Sequence, residues 1–576
     1  MQIFSRQNIS YTARRMLAYS LTALMLSLGT PVAFNTIPHI EAAGLSQMGT
    51  QSGPGVAVTD TKSGKLQGYV HEGIYNYKGV PYAKAERFMP PKPVDSWSGI
   101  RTAMNYGTVS PQLVDQKNDI YPPHWYWPHW EPRNLPQNDD CQNLNVWTPG
   151  LKDGKKRPVM IWLHGGGFSM GSASVEDVYD GENLSRKGDV VVVSVNHRLN
   201  SVGFLDLSAY GEKYKMSGNA GMLDVVAALQ WVHDNIANFG GDPNNVTLFG
   251  QSGGGAKILT LMSMPSAKGL FHKAIEESGA VEQMGMTLPR QDISRRVAEL
   301  TLENLDIPAN SVDKLQSIPY EELAEAANKA YLQAGKEFGP ERMYIGMGWT
   351  PVIDGDVIPN NPVSEGFSNQ AKDIPLLIGS VANEWMTIDQ WRTMATSQID
   401  NKNNWNADEV KQRLKDKYGA NADNVRQAFH QAYPDKPDAN ALYADSWIRT
   451  RTVKTANLKA DQKGAPVYNY VFTWETPVMG GFAMAYHCAE LPFVFNNIDK
   501  SATSTGATRD AYALSNKISQ AWINFARTGN PNAKGLPEWP AYTRENGATM
   551  ILDNVSKIRY HYDDALMKLL APNYAE

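Results

Sequence analysis

The pentapeptide Gly250-Gln251-Ser252-Gly253-Gly254 sets a serine between glycines two residues to either side. That spacing suits a tight turn from a strand into a helix. A strained backbone there lifts the hydroxyl clear of its neighbours and offers it as a nucleophile. The pattern alone is weak in a chain of 576 residues, and a glycine-rich turn without chemistry is the competing reading. The flanks decide between them. Val246-Thr247-Leu248-Phe249 reads as a strand, and Ala256 to Met262 has a helical pattern. A second motif, His164-Gly165-Gly166-Gly167-Phe168, directly follows the apolar run Val159-Met160-Ile161-Trp162-Leu163. Glycines let backbone N–H groups approach a developing oxyanion closely, and such preset donors stabilise a transition state strongly. The N–H groups of Gly166, Gly167 and Gly253 are the expected donors. Together the two motifs describe acyl transfer through a covalent serine intermediate.

Such a serine needs a base and an acid. Past Ser252 the histidines are His272, His430, His487 and His561. His487 stands in Met484-Ala485-Tyr486-His487-Cys488-Ala489-Glu490-Leu491-Pro492-Phe493-Val494-Phe495, read as a loop after the strand Val467–Phe472. The other three keep a structural reading. The acid must hold the ring and stabilise the imidazolium. Glu384 lies just past the strand Pro375-Leu376-Leu377-Ile378-Gly379, in Ser380-Val381-Ala382-Asn383-Glu384-Trp385. Its rival is Asp354, in Ile353-Asp354-Gly355-Asp356, which reads better as a turn aspartate.

The elements that must position these residues alternate. Val190 to Val195 is a second continuous apolar run, as expected for a strand covered on both faces. Leu223, Val226, Ala227 and Trp231 recur at helical spacing before the next strand. Strands alternating with helices predict an α/β fold with a central, mostly parallel sheet flanked by helices. A nucleophile at a strand-to-helix turn resembles the α/β-hydrolase fold, whose order Ser, acid, His is what places the expected acid and base after Ser252. The charged, helix-patterned stretches 301–344 and 405–433 read as helical additions to it, so residues 43–576 form one expected domain.

Residues 1–42 read as a signal peptide. Arg6, Arg14 and Arg15 precede an apolar run from Met16 to about Ala33, and Ala42-Ala43 offers a cleavage site. Gly29 and Pro31 break the run, which disfavours the alternative of a membrane anchor. The expected location is therefore secreted or periplasmic, without a stable membrane anchor. The net charge of -5 comes with no block of like charge, which gives no nucleic-acid footprint. Cys141 and Cys488 are the only cysteines, too few for a disulfide framework, and are read as free thiols. No metal motif and no dinucleotide fingerprint occurs, so neither metal nor cofactor is expected.

With these residues in place, the chain resembles the type-B carboxylesterase and cholinesterase family from about Gly55 to Ile558. The likeness rests on segments in the family's order. They are Tyr77-Lys78-Gly79-Val80-Pro81-Tyr82-Ala83, Leu144-Asn145-Val146-Trp147-Thr148-Pro149, the HGGGF run, Asn196-His197-Arg198-Leu199 before Gly203-Phe204-Leu205, Asn238-Phe239-Gly240-Gly241-Asp242-Pro243, and the stretch His487 to Phe495. The resemblance implies a Ser-His-Glu triad, which falls on Ser252, His487 and Glu384. It also implies that Ser278 supports the acid by hydrogen bonding. Several positions depart from the family. Gln251 replaces its usual Glu, Gly253 its usual Ala, and Trp385 a common Gly. The cysteine that usually pairs with the equivalent of Cys141 is missing.

The expected activity is hydrolysis of a small-molecule carboxylic ester, with neutral, bulky or aromatic groups favoured. A non-catalytic binding member of the family, a lipase and an amidase are the alternatives. The segment Tyr121-Pro122-Pro123-His124-Trp125-Tyr126-Trp127-Pro128-His129-Trp130 is rich in aromatic residues and proline. It reads as a loop that either lines the substrate pocket with Trp125, Trp127 and Trp130 or simply packs on the protein.

Overall fold

A computed structural model describes residues 49–113, 135–280, 288–339, 342–343, 348–362, 364–384 and 401–572. The expected signal peptide, Trp125, Trp127, Trp130 and Trp385 lie outside the described residues. Twelve strands form the main sheet. Across it they run β1 (Thr50–Gln51), β4 (Tyr69–His71), β5 (Ile74–Pro81), β7 (Asn143–Thr148), β9 (Val191–Val195), β8 (Arg157–Leu163), β10 (Gly241–Gln251), β11 (Lys273–Glu277), β12 (Leu376–Val381), β13 (Val467–Phe472), β14 (Ala548–Leu552) and β15 (Lys557–Tyr560). A small second sheet joins β2 (Val58–Asp60), β3 (Lys65–Gln67) and β6 (Ile100–Thr102).

From β9 to β14 every neighbouring pair is parallel, while β1, β4, β5, β7 and β15 pair antiparallel at the two margins. The parallel strands are the apolar runs of the sequence, and they are apolar for a reason. Each is sandwiched between helices, so both of its faces are dry. In β8, β9, β12 and β13 every residue is buried. The helix Ala220–Asn235 packs into one core with β8 and β10, and the helix Arg509–Thr528 packs into another across the sheet.

The stretches expected to be helical additions are so. Gln291–Asn304 and Tyr320–Phe338 pack together as one pair, and Ala407–Tyr418 and Ala422–Ala432 as another. The second pair has its own small core, where Leu414, Val425 and Phe429 meet Val471 and Ile551 from the sheet. Among the described residues no helix is long and apolar enough to cross a membrane.

In a parallel sheet the loops after the strands gather at one edge, and ligands bind there. The HGGGF run follows β8, Ser252 follows β10 and Glu384 follows β12. His487 comes after β13 in the same chain direction. The topology therefore delivers all four segments to the same end of the sheet.

Candidate active site

Ser252 ends β10 and precedes the helix Gly253–Leu261, at φ 56° and ψ -124°. A non-glycine residue rarely adopts a positive φ, and one held there at a strand-to-helix turn stores strain. Neighbouring hydrogen bonds enforce the conformation. Ser252 N–H donates to Glu277 O at 2.8 Å, and Ser252 O accepts from Ala256 N at 3.0 Å. Glycines are required around it because backbone approaches closely on two sides. A Cβ on Gly254 would lie 1.9 Å from Leu163 O, and one on Gly253 would lie 2.2 Å from Gly167 O. The departure from Ala at 253 thus has a cause. In this chain the HGGGF loop rests directly on the first turn of the elbow helix.

Gly166 and Gly167 adopt φ 84° and 61°, in the left-handed region that favours glycine. The loop's carbonyls are all taken. Gly165 O accepts from His164 Nδ1 at 2.8 Å, and Gly166 O accepts from Ser169 N and Met170 N at 3.2 and 3.1 Å. His164 O and Gly167 O both accept from Lys257 Nζ. In a trans peptide the N–H points opposite to the preceding carbonyl. Fixing Gly165 O and Gly166 O therefore fixes the directions of the Gly166 and Gly167 N–H groups. Gly253 N–H is one of the unbonded donors at the start of a helix.

His487 Nδ1 lies 2.5 Å from Glu384 Oε2. The two residues are 103 positions apart in sequence, and backbone bonds zip their loops together. His487 N–H donates to Glu384 O at 3.1 Å, and Asn383 N–H donates to Ala485 O at 3.0 Å. The other carboxyl oxygen, Glu384 Oε1, accepts from Val381 N at 3.0 Å. Ser278 faces the same carboxyl and favours its ionised form, although its Oγ reaches no full hydrogen-bond geometry. Burial pushes the imidazole down to about 4, against the opposing charges of Glu490 and Asp445. It pushes Glu384 up, helped by Asp445. The ring is then neutral near pH 7, the state a general base requires.

The far side of the ring meets Gln251. Its Nε2 is 3.1 Å from His487 Nε2, and its Oε1 accepts from Cys488 Sγ at 3.2 Å. The Cys488 thiol donates to the amide oxygen, and the amide N–H faces the ring. An amide N–H aimed at Nε2 leaves the ring proton on Nδ1, facing Glu384. Ser252 Oγ and His487 form no hydrogen bond in this geometry. Gln251, the residue beside the serine, is the partner of His487 Nε2 instead.

The rival candidates each have local contacts of their own. Asp354 Oδ1 accepts from Asp356 N and Ile358 N, and Oδ2 accepts from Asn219 Nδ2, so it holds its own turn. His272 Nδ1 accepts from Val246 N, and His561 bonds Asp564 and Glu545 O. His430 lies exposed on the helix Ala422–Ala432. Cys141 and Cys488 are free and buried. Sequence reasoning missed Lys257, the Gln251–Cys488 contact and a set of buried carboxyls behind the histidine. Among the last, Glu276 and Glu490 are each pushed up to about 8 by burial.

A central parallel sheet carrying a serine at such an elbow, beside a glycine-lined loop and a His–Glu pair, defines the α/β-hydrolase fold. The chain belongs to the carboxylesterase family, whose model matches residues 55–568. It is 35% identical to the para-nitrobenzyl esterase of Bacillus subtilis (strain 168) over 90% of this chain and 99% of that protein. It is 32% identical to the phenmedipham hydrolase of Pseudarthrobacter oxydans, over 86% and 94% of the two chains. A solved esterase of Clostridium hathewayi, described as able to hydrolyze aliphatic aromatic polyesters, superposes with a TM-score of 0.82 at 38% identity. That match covers 90% of this chain and 99% of the other. The protein is a serine carboxylesterase.

Proposed function

We propose that it cleaves esters through an acyl-Ser252 intermediate, with His487 as general base and then acid, and Glu384 holding the ring. The Ser252 hydroxyl loses its proton to His487 Nε2 as its oxygen bonds the acyl carbon. The carbonyl oxygen becomes an oxyanion bound by the N–H groups of Gly166, Gly167 and Gly253. His487 then passes the proton to the leaving alcohol, and water repeats the sequence to release the acid. For this, Nε2 must exchange its contact with Gln251 for one with Ser252 Oγ. Catalytic hydrogen bonds are often loose before substrate arrives. The observation that carries the reading is the 2.5 Å His487–Glu384 contact, set with Nδ1 toward the acid and Nε2 toward the elbow. The test is covalent labelling by an organophosphate. Ser252→Ala should abolish both labelling and turnover while the protein still folds. Labelling that persists would place the nucleophile elsewhere.

The neutral residue beside the serine supports a neutral substrate. Gln251 stands where an acidic residue would attract a cationic ester, and it is buried. The names of the para-nitrobenzyl esterase and of the aliphatic aromatic polyester-hydrolysing esterase further support neutral esters with aromatic or bulky groups. Trp125, Trp127 and Trp130 are the proposed pocket wall, since stacking adds roughly 0.5–1.5 kcal/mol beyond burial. Replacing each with Ala should raise KM for an aryl ester more than for a small aliphatic one. Equal effects with a lowered Tm would leave the segment as packing only. Residues 1–42 are proposed as an export signal, to be checked by N-terminal sequencing of the exported protein.

A further inference from the structure

Lys257 is fully buried on the elbow helix, five residues after the nucleophile. Its Nζ donates to His164 O at 3.0 Å and to Gly167 O at 2.8 Å. It also lies 5.3 Å from the centre of the Phe168 ring. These contacts come from the first, fourth and fifth residues of the HGGGF run. Among the described residues no carboxylate pairs with it. The titratable groups facing it are His164 and His197, which stack on each other at 5.1 Å. Burial and the Lys257 charge push both rings well down, so both are neutral.

An ammonium buried without a counter-charge is costly to keep. Something must offset that cost, and the loop it holds is where negative charge develops during acyl transfer. The inner carbonyls Gly165 O and Gly166 O are anchored within the loop itself. The outer two, His164 O and Gly167 O, are anchored only through Lys257 among the bonds formed here. The tie also explains the close seat of the loop on the helix, where even one methyl group on Gly253 would overlap Gly167.

We propose that Lys257 is a positioning residue of the oxyanion loop. Its ammonium fastens both ends of His164–Gly167 to the elbow helix, seats the segment that carries the Gly166 and Gly167 N–H groups at its distance from Ser252, and supplies positive charge behind the developing oxyanion. This rests on the reading of those glycines as oxyanion donors to an acyl-Ser252 intermediate. It assigns Lys257 no contact with the reacting atoms and no proton transfer.

The test compares the wild type with Ser252→Ala, Lys257→Met and Lys257→Gln as full chains. The readouts are turnover of para-nitrophenyl butyrate, inhibition by an alkyl trifluoromethyl ketone, and Tm. The ketone adds to the serine and leaves an oxyanion where the donors act, so its affinity reports the loop directly. Lys257→Met should lower kcat by about tenfold or more, up to the roughly 10²–10³ of one lost oxyanion donor. KM should stay within about threefold, because the interaction is made only in the transition state. Ketone affinity should fall in parallel with kcat. Lys257→Gln, which keeps a donor without the charge, should fall between, and it carries the test if the methionine variant does not fold. Unchanged kcat in a folded variant, or a lost kcat with ketone affinity intact, overturns the role of Lys257. Turnover that survives in Ser252→Ala overturns the acyl-serine reading instead.

Discussion

Arg198 and Lys257 are both cations with no solvent exposure, yet burial has opposite outcomes for them. Arg198 meets Asp224 through two bonds of 2.8 and 2.6 Å, and gives further bonds to Glu86 O and Met89 O. Asp224 more than offsets the desolvation, so the guanidinium pKa is raised. Lys257 has only carbonyl dipoles and a ring face, and burial pushes its ammonium down to about 7. The first arrangement is electrostatically closed and can only hold the fold. The second is open, and so is the ground beside His487, where neither carboxyl oxygen of Glu490 has a hydrogen-bond partner among the described residues. Closed charges make structure, and open ones are available to respond when charge moves in the site.

That division can be broken most sharply at the acid. Glu384→Gln should cut kcat by roughly 10⁴, because a neutral amide cannot stabilise the imidazolium, with Tm little changed. Asp354→Asn should keep most activity. If the two variants behaved the other way round in a kcat assay, Asp354 would be the acid. On the closed side, Arg198→Met leaves Asp224 buried and uncompensated, and should cost about 3–5 kcal/mol of stability. Chemical denaturation measures that cost, and the folded fraction should keep a near-normal kcat. A stable Arg198→Met enzyme with a crippled kcat would erase the distinction.

The pH profile sharpens it further. The proposed base, His487, can accept a proton only in its neutral form, and burial lowers its pKa. Activity should therefore persist as pH falls through 6.5, the ordinary histidine value, and the acid limb of kcat/KM should lie below it. A limb at or above 6.5 would mean the carboxylate pairing outweighs desolvation. The smallest effect is expected at Gln251. The wild type should show little preference for a cationic choline ester over its neutral isostere. Gln251→Glu should raise that preference and, by favouring the imidazolium, move the acid limb to higher pH. Matched-salt kcat/KM for the two esters reads the first effect, and the pH profile reads the second.

Much of this was legible in the sequence because burial writes itself as composition. Val159–Leu163, Val190–Val195 and Val467–Phe472 are largely apolar because they are sheathed on both faces, and they fall on the strands Arg157–Leu163, Val191–Val195 and Val467–Phe472. The loops that follow them gave the candidate site. The marginal strands Thr50–Gln51 and Tyr69–His71 went unread, since they are too short and polar to show a pattern. The Cys488–Gln251 contact was also beyond reach, because it joins residues 237 positions apart. Lys257 left one usable trace. Every residue of Gly253–Leu261 is buried, and its other members are Gly, Ala, Thr, Ile and Leu, so the helix has no polar face on which a lysine could reach water.

The zipper between the Glu384 and His487 loops has an evolutionary consequence. The two residues are placed by adjacent parallel strands, β12 and β13, paired from Leu376↔Val467 to Val381↔Phe472. Nothing in that pairing depends on how much chain runs between the strands, because the entropy of closing a loop grows only logarithmically with its length. Added chain between the two strands would therefore cost little in closure and leave Glu384 and His487 in register. The spacing of the proposed acid and base is set by strand pairing, so evolution can change the length of chain between them without having to rebuild it.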